Sequence, residues 1–129
     1  MPADLDSARY VSFTTHRRDG TPVSLPVWVV PFDGGYAFTT DPTSAKVRRI
    51  GNDARATLRV CDMRGRVADG TTEHAGTAVL LGPEDTERVA ALVKRKYRVG
   101  WVLINAMALL ERLRGKGQAA EGAIKVTLT

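Results

Sequence analysis

The chain has 129 residues, 43% of them hydrophobic, the scale of one globular domain with its own core. Nineteen Lys and Arg against fourteen Asp and Glu leave a net charge of +5, which suits an anionic partner, either nucleic acid or a phosphorylated ligand. The single cysteine, Cys61, excludes an internal disulfide and fits a reducing compartment.

The opening residues Met1-Pro2-Ala3-Asp4-Leu5-Asp6 have neither the basic nor the apolar region of a leader. The longest apolar stretch, 101–110, falls well short of the roughly 20 residues that a membrane span needs. The expectation is a cytoplasmic protein with no membrane partner.

Strand signals dominate the first two-thirds. Residues 10–15 are β-branched and aromatic, and Arg18-Asp19-Gly20-Thr21-Pro22 supplies a turn. Over 23–30, Val23, Leu25, Val27 and Val29 alternate with Ser24, Pro26, Trp28 and Val30, the period of a second strand. Pro26 cannot donate to a ladder, so an edge or a bulge is expected there. Asp33-Gly34-Gly35 is a hairpin turn, and 36–40 is a third strand. A short helix is expected over 44–52, with Val47 and Ile50 facing the core and Gly51 or Asn52 ending it in a left-handed conformation.

A fourth strand covers 54–61 and a polar loop 63–72. A fifth strand covers 73–81, with Gly76 marking a bulge or a close backbone approach. After Gly82, Pro83 with Glu84 and Asp85 starts a helix that runs to about Tyr97. A second helical stretch over 101–114 and a last strand over 123–129 complete the chain. The pattern predicts a mainly β (α+β) fold, one domain over 1–129. It is a small closed barrel with a short inserted helix and two helices packed outside.

The stretch most suggestive of chemistry is Thr39-Thr40-Asp41-Pro42-Thr43-Ser44-Ala45-Lys46. A strand ends in hydroxyls, turns through Asp-Pro and opens a helix carrying a lysine in its first turn. Helix-start N–H groups, hydroxyls and a cation together make an anion site. With no hydrolytic constellation in the sequence, that anion is expected to be a cofactor phosphate. His16 sits in a turn beside two arginines, and His74 has no ligand set around it, so no metal site is expected. Cys61 lies in an alternating strand, where a cysteine serves as a small hydrophobe. No side chain is assigned a catalytic role.

In order and spacing, VSFTTHRRDGTPVSLPVWVV, DGGYAFTTDPTSAKVRRIGNDARATL, HAGTAVLL and LVKRKYRVG resemble the pyridoxamine 5′-phosphate oxidase-like split β-barrel family. The likeness is greatest to its branch that uses the deazaflavin coenzyme F-420. It implies an FMN-binding-type split barrel that forms a homodimer, with the cofactor in a groove between subunits. It also implies an oxidoreductase acting on a small-molecule substrate. On this resemblance Thr39, Thr40, Ser44, Ala45 and Lys46 hold the phosphate and Arg49 is a second clamp. The backbone of Leu25 to Val30, with Val27, Trp28 and Val29 at its centre, runs along the ring.

Relatives that use FMN often carry an arginine and a lysine where this chain has Leu25 and Val30, so F-420 is the expected cofactor and FMN the alternative. Residues 41–66 carry seven cations against three acids, and 88–98 add five cations and no acid, an excess that suits the acidic tail of F-420. A non-catalytic module that binds a cofactor or haem is the reading from another class. Nucleic acid is not expected, since no recognition motif is present and aromatics are only 6% of the chain.

Overall fold

In a computed structural model describing residues 2–97 and 122–129, the alternating segments form seven strands. They are β1 (Tyr10–His16), β2 (Pro22–Val27), β3 (Val30–Phe32), β4 (Gly35–Thr40), β5 (Arg55–Cys61), β6 (His74–Leu80) and β7 (Gly122–Leu128). Helix α1 (Ala3–Ser7) precedes them, and α2 (Ala45–Asn52) and α3 (Pro83–Lys96) lie between them. The strands make one antiparallel sheet in the order β2-β1-β5-β6-β7-β4-β3.

The two edge strands of that sheet are consecutive in the chain. Laid flat, strands about 4.8 Å apart would put these edges roughly 29 Å from each other. Only Trp28 and Val29 separate Val27 from Val30, a link that spans about 10 Å at most. The sheet therefore rolls until its edges nearly meet, which is the split barrel.

Alternation decides what fills it. Val11 and Phe13 of β1, Tyr36 and Phe38 of β4, Leu58 of β5, and Ile124 and Val126 of β7 point inward with Leu5 of α1. The Phe13 and Phe38 rings meet edge to face at 4.9 Å. On the outer face Val30, Phe32, Ala37 and Ala123 pack against Val89 and Val93 of α3 and Tyr97 at its C-cap. That helix starts as its sequence directs, with Pro83 in the first turn, acids following it and Lys94, Arg95 and Lys96 in the last turn.

Asp33 and Gly34 both take positive φ, 43° and 81°, and join Phe32 to its ladder partner Gly35 in a two-residue hairpin. Gly76 allows the close approach expected of it: a Cβ there would lie 2.5 Å from the Thr127 carbonyl oxygen of β7. Pro26 stands on an edge strand, as its missing N–H requires.

Four expectations change. The second strand does not run unbroken over 23–30; it stops at Val27, and β3 resumes on the opposite edge of the sheet. The barrel is accordingly open along one seam, with seven strands. Helix α2 does not end left-handed at Gly51 or Asn52. Its cap is Asp53, extended at φ −145°, whose N–H donates to the Arg49 carbonyl. His16 closes β1 instead of lying in the turn.

A helix absent from the sequence reading, α1, is tied down by Leu5, which is fully buried, and by two long-range bonds. Tyr36 donates its hydroxyl to Asp6 at 2.6 Å, and His74 Nε2 lies 2.9 Å from Asp4 Oδ2. The helical stretch expected over 101–114 lies outside the described residues. Among the described residues no helix is long and apolar enough to cross a membrane.

Candidate functional site

A cavity of about 600 Å³ opens where β2 meets the end of β4 and the start of α2. One wall is apolar, made by Leu25, Pro26, Val27 and Trp28 with Tyr10 of β1 beside them. The other is polar, made by Thr39, Thr40, Asp41 and Lys46. Met63, 66% exposed, stands at the mouth. The volume lies in the range of small-molecule sites.

The polar wall follows from local chemistry. Asp41 accepts from the Thr43 amide and hydroxyl at 2.8 and 2.7 Å, and the Ser44 amide donates to the Asp41 carbonyl at 3.0 Å. This turn directs the chain from β4 into α2. The Thr43 donors, with Lys46 adding to them, hold the Asp41 carboxyl below its ordinary range. Ser44 is the N-cap residue, yet its hydroxyl makes no cap bond and stands 3.5 Å from the Thr40 hydroxyl. No acidic side chain occupies the first turn. The N-terminal amides of α2 therefore keep their positive potential beside Lys46.

Lys46 is half-buried. Burial and the nearby Arg49 lower its pKa, against a smaller pull from Asp41. Among the described residues no carboxylate lies within ion-pair distance of its ammonium. Arg49, one turn on, is also held down, by burial and by repulsion from Arg17 and Arg48. Its Nε donates to Thr15 Oγ1 at 2.7 Å, so its side chain points to β1 instead of lining the cavity.

The apolar wall is set from outside the barrel. The Trp28 indole lies flat against the Tyr97 ring, centroids 4.7 Å apart and planes 7° from parallel, with Tyr10 tilted against it at 6.5 Å. Below the cavity mouth Asp62 accepts from the Arg64 and Arg66 amides and carries Met63 forward in a tight loop. Gly65 makes that loop possible: its φ is 83°, and a Cβ there would lie 3.3 Å from Pro26 Cδ.

Of the residues singled out from the sequence, Val27, Trp28, Thr39, Thr40 and Lys46 share this cavity. Ser44 adjoins it through Thr40, and Ala45 follows in the first turn of α2. The Val29 side chain is buried in the barrel core, and Arg49 faces Thr15. Sequence reasoning left out Tyr10 and Met63 as lining residues, and Tyr97 and Lys96 behind them. Met63 carried a signal, as the one large apolar side chain near the start of a polar loop.

Ion pairing thins the cation excess noted above. Arg55 pairs with Asp53 at 2.7 Å, Arg66 with Asp62 at 2.7 Å, Arg59 with Glu73, and Arg88 with Asp33 and Asp85. Among the described residues of 41–66, Lys46, Arg48, Arg49 and Arg64 are left with no ion pair to a carboxylate, and Arg17 adds its charge beside Arg49. Cys61 adjoins a separate hollow of about 420 Å³, where burial pushes its thiol pKa up and away from nucleophilic character. Among the described residues no three His, Cys, Asp or Glu side chains converge as a metal site.

The fold recurs among solved structures. An F-420 reductase aligns with a TM-score of 0.62 at 20% identity, covering 97% of this chain and 90% of its own. A haem storage protein of Vibrio cholerae aligns at 0.64 with 10% identity, covering 97% and 84%. An FAD-binding protein of Mesorhizobium loti aligns at 0.62 with 14% identity, covering 96% and 82%. At these identities the likeness is one of fold. Among curated proteins none matches the sequence. The family model described as pyridoxamine 5′-phosphate oxidase matches residues 2–127. With that match over nearly its whole length, and a rolled seven-stranded sheet to accompany it, the chain belongs to the pyridoxamine 5′-phosphate oxidase family.

Proposed function

We propose that this protein is an oxidoreductase that binds the deazaflavin coenzyme F-420 and exchanges a hydride with a small, electron-poor substrate, working as a homodimer. Lys46 carries the reading. It is a half-buried cation on a cavity wall, beside an uncapped helix start, and among the described residues no carboxylate, Asp41 included, comes within ion-pair distance of it. A desolvated charge is costly unless paired, and a ligand phosphate would complete this site.

The residues present fit such a group. Lys46 and the amides at the start of α2 would hold a phosphate, with the Thr39, Thr40 and Ser44 hydroxyls as further donors. Leu25, Val27 and Trp28 offer an apolar wall for a planar ring and keep water from it. Arg48, Arg49 and Arg17 raise the positive potential behind Lys46, which suits an acidic tail. When bound, the coenzyme supplies the hydride chemistry, and the protein supplies binding, orientation and electrostatics. A second barrel laid over the open mouth at Met63 would close the groove.

The likeness to an F-420 reductase supports the deazaflavin. FMN is the second reading, favoured by the family match and by the FAD-binding neighbour. Leu25 and Val30, standing where flavin-using relatives carry cations, weigh against it.

The test is titration of the purified protein with F-420 and, separately, with FMN, followed by tryptophan quenching. Micromolar or tighter binding of F-420 alone is expected. Preference for FMN would move the protein to the flavin-using branch. Binding of neither would leave a non-catalytic module and remove the phosphate role from Lys46.

A further inference from the structure

The last turn of α3 reaches over the two-residue link between β2 and β3. Val29 is fully buried, and its carbonyl oxygen lies in that link, between the two edge strands. It accepts two side-chain donors there, Lys96 Nζ at 2.9 Å and the Tyr97 hydroxyl at 2.9 Å. The Tyr97 ring, 7% exposed, stacks on Trp28, the residue just before Val29. One residue therefore fixes both the backbone of the link and the plane of the indole that walls the cavity. Tyr97 itself does not line the cavity.

We propose that Tyr97 is a positioning residue for the proposed cofactor site: by stacking on Trp28 and bonding the Val29 carbonyl, it holds the apolar wall in the attitude that receives the ligand's ring system. This rests on the reading that the cavity takes a planar, phosphate-bearing cofactor. Tyr97 covers one face of the indole, so the ligand meets the surface that remains. Without the stack the indole can turn about its side-chain torsions, and ordering it again on binding lowers affinity. Lys46 lies on the opposite wall and is untouched by such a change. Loss of Tyr97 should therefore weaken ring binding and leave the phosphate contribution as it is.

The experiment measures dissociation constants of wild type and Tyr97→Leu for two ligand pairs, well below the melting temperature. The pairs are F-420 with its phosphate-free deazaflavin chromophore, and FMN with riboflavin. Tyr97→Leu is expected to weaken both members of the bound pair by about tenfold, the scale of one aromatic stack. The ratio within the pair, which reports the phosphate contact, should stay constant. A general loosening of the fold would shrink that ratio as well, and this result would overturn the positioning role.

Wild-type affinity in Tyr97→Leu would also overturn it while leaving the cofactor reading intact. Binding of no ligand to wild type would remove both. If Tyr97→Leu does not fold, Tyr97→Phe combined with Lys96→Met keeps the stack and removes both donors to Val29. About threefold or greater loss for both members of the pair, with a changed near-ultraviolet circular dichroism band, then supports the role. No change in either overturns it.

Discussion

Arg49 Nε donates to Thr15 Oγ1 at 2.7 Å, joining helix α2 to the inner face of β1. Thr15 is fully buried, so its hydroxyl has no water to replace that donor. Arg49→Met should therefore act on stability first, by about 1–2 kcal/mol, offset in part by relief of repulsion with Arg17 and Arg48. A lowered melting temperature, with cofactor affinity reduced about twofold to threefold and only at low salt, is the expected pattern. A large, salt-independent loss of affinity would make Arg49 a direct ligand.

Lys46→Ala should weaken cofactor binding by about 1.5–3 kcal/mol, the range for a hydrogen bond to a charged group. The phosphate-free ring should bind it as it binds wild type. Equal affinities of variant and wild type for the complete cofactor, with folding intact, would sink the phosphate assignment. Lys46→Arg should also lose affinity, since a planar fork replaces a compact ammonium.

Acid should destabilise the fold, with a sign set by its aspartates. The Arg55 side chain, then its amide, holds the Asp53 carboxyl down to about 2. Asp4 is lowered chiefly by its bond to His74, Asp41 by Thr43 and Asp62 by Arg66. A carboxyl depressed in the folded state contributes stability above its unfolded pKa, which is lost as pH falls through the folded value. Thermal melts should thus hold their midpoint down to about pH 4 and fall below it. Asp53→Asn should show a shallower fall, and an identical profile would remove Asp53 from the account.

Two glycines should respond in opposite directions. Gly76→Ala places a methyl 2.5 Å from a backbone oxygen of β7 and 2.9 Å from Val126 Cγ1, and neither strand can yield without breaking its ladder. A cost of about 3 kcal/mol or more is expected in denaturant melts. Gly51→Ala, in helix α2 with open space around it, should stabilise by about 0.5–1 kcal/mol.

What the sequence could tell depended on how far apart the deciding groups lie. The strands β5 and β7 were legible because alternation is a property of neighbouring residues, as in Ala56, Leu58 and Val60 or Ile124 and Val126. Thr39, Thr40 and Lys46 were legible for the same reason, since one strand end and one helix start bring them to the same wall. The stop at Val27 was not. The run 23–30 reads as one continuous strand, and its break is held by Tyr97, 68 positions away from the carbonyl it bonds. Helix α1 has five residues, too few to form alone, and depends on Tyr36 and His74, 30 and 70 positions from their partners. Tyr10, Pro26 and Met63 meet at the cavity only because the sheet rolls, which no local pattern records.

That roll is kept by the peptide link through Trp28 and Val29, which works as a clasp on a hoop. Cutting the chain there, by a protease or by circular permutation, would leave every ladder bond intact yet free both rims to part. The N–H and C=O groups that each rim already leaves unpaired at the seam would then stand clear of the opposite rim, the template on which strands of other chains assemble. The same short clasp that walls the cavity thus also guards the barrel against polymerising through its own edges.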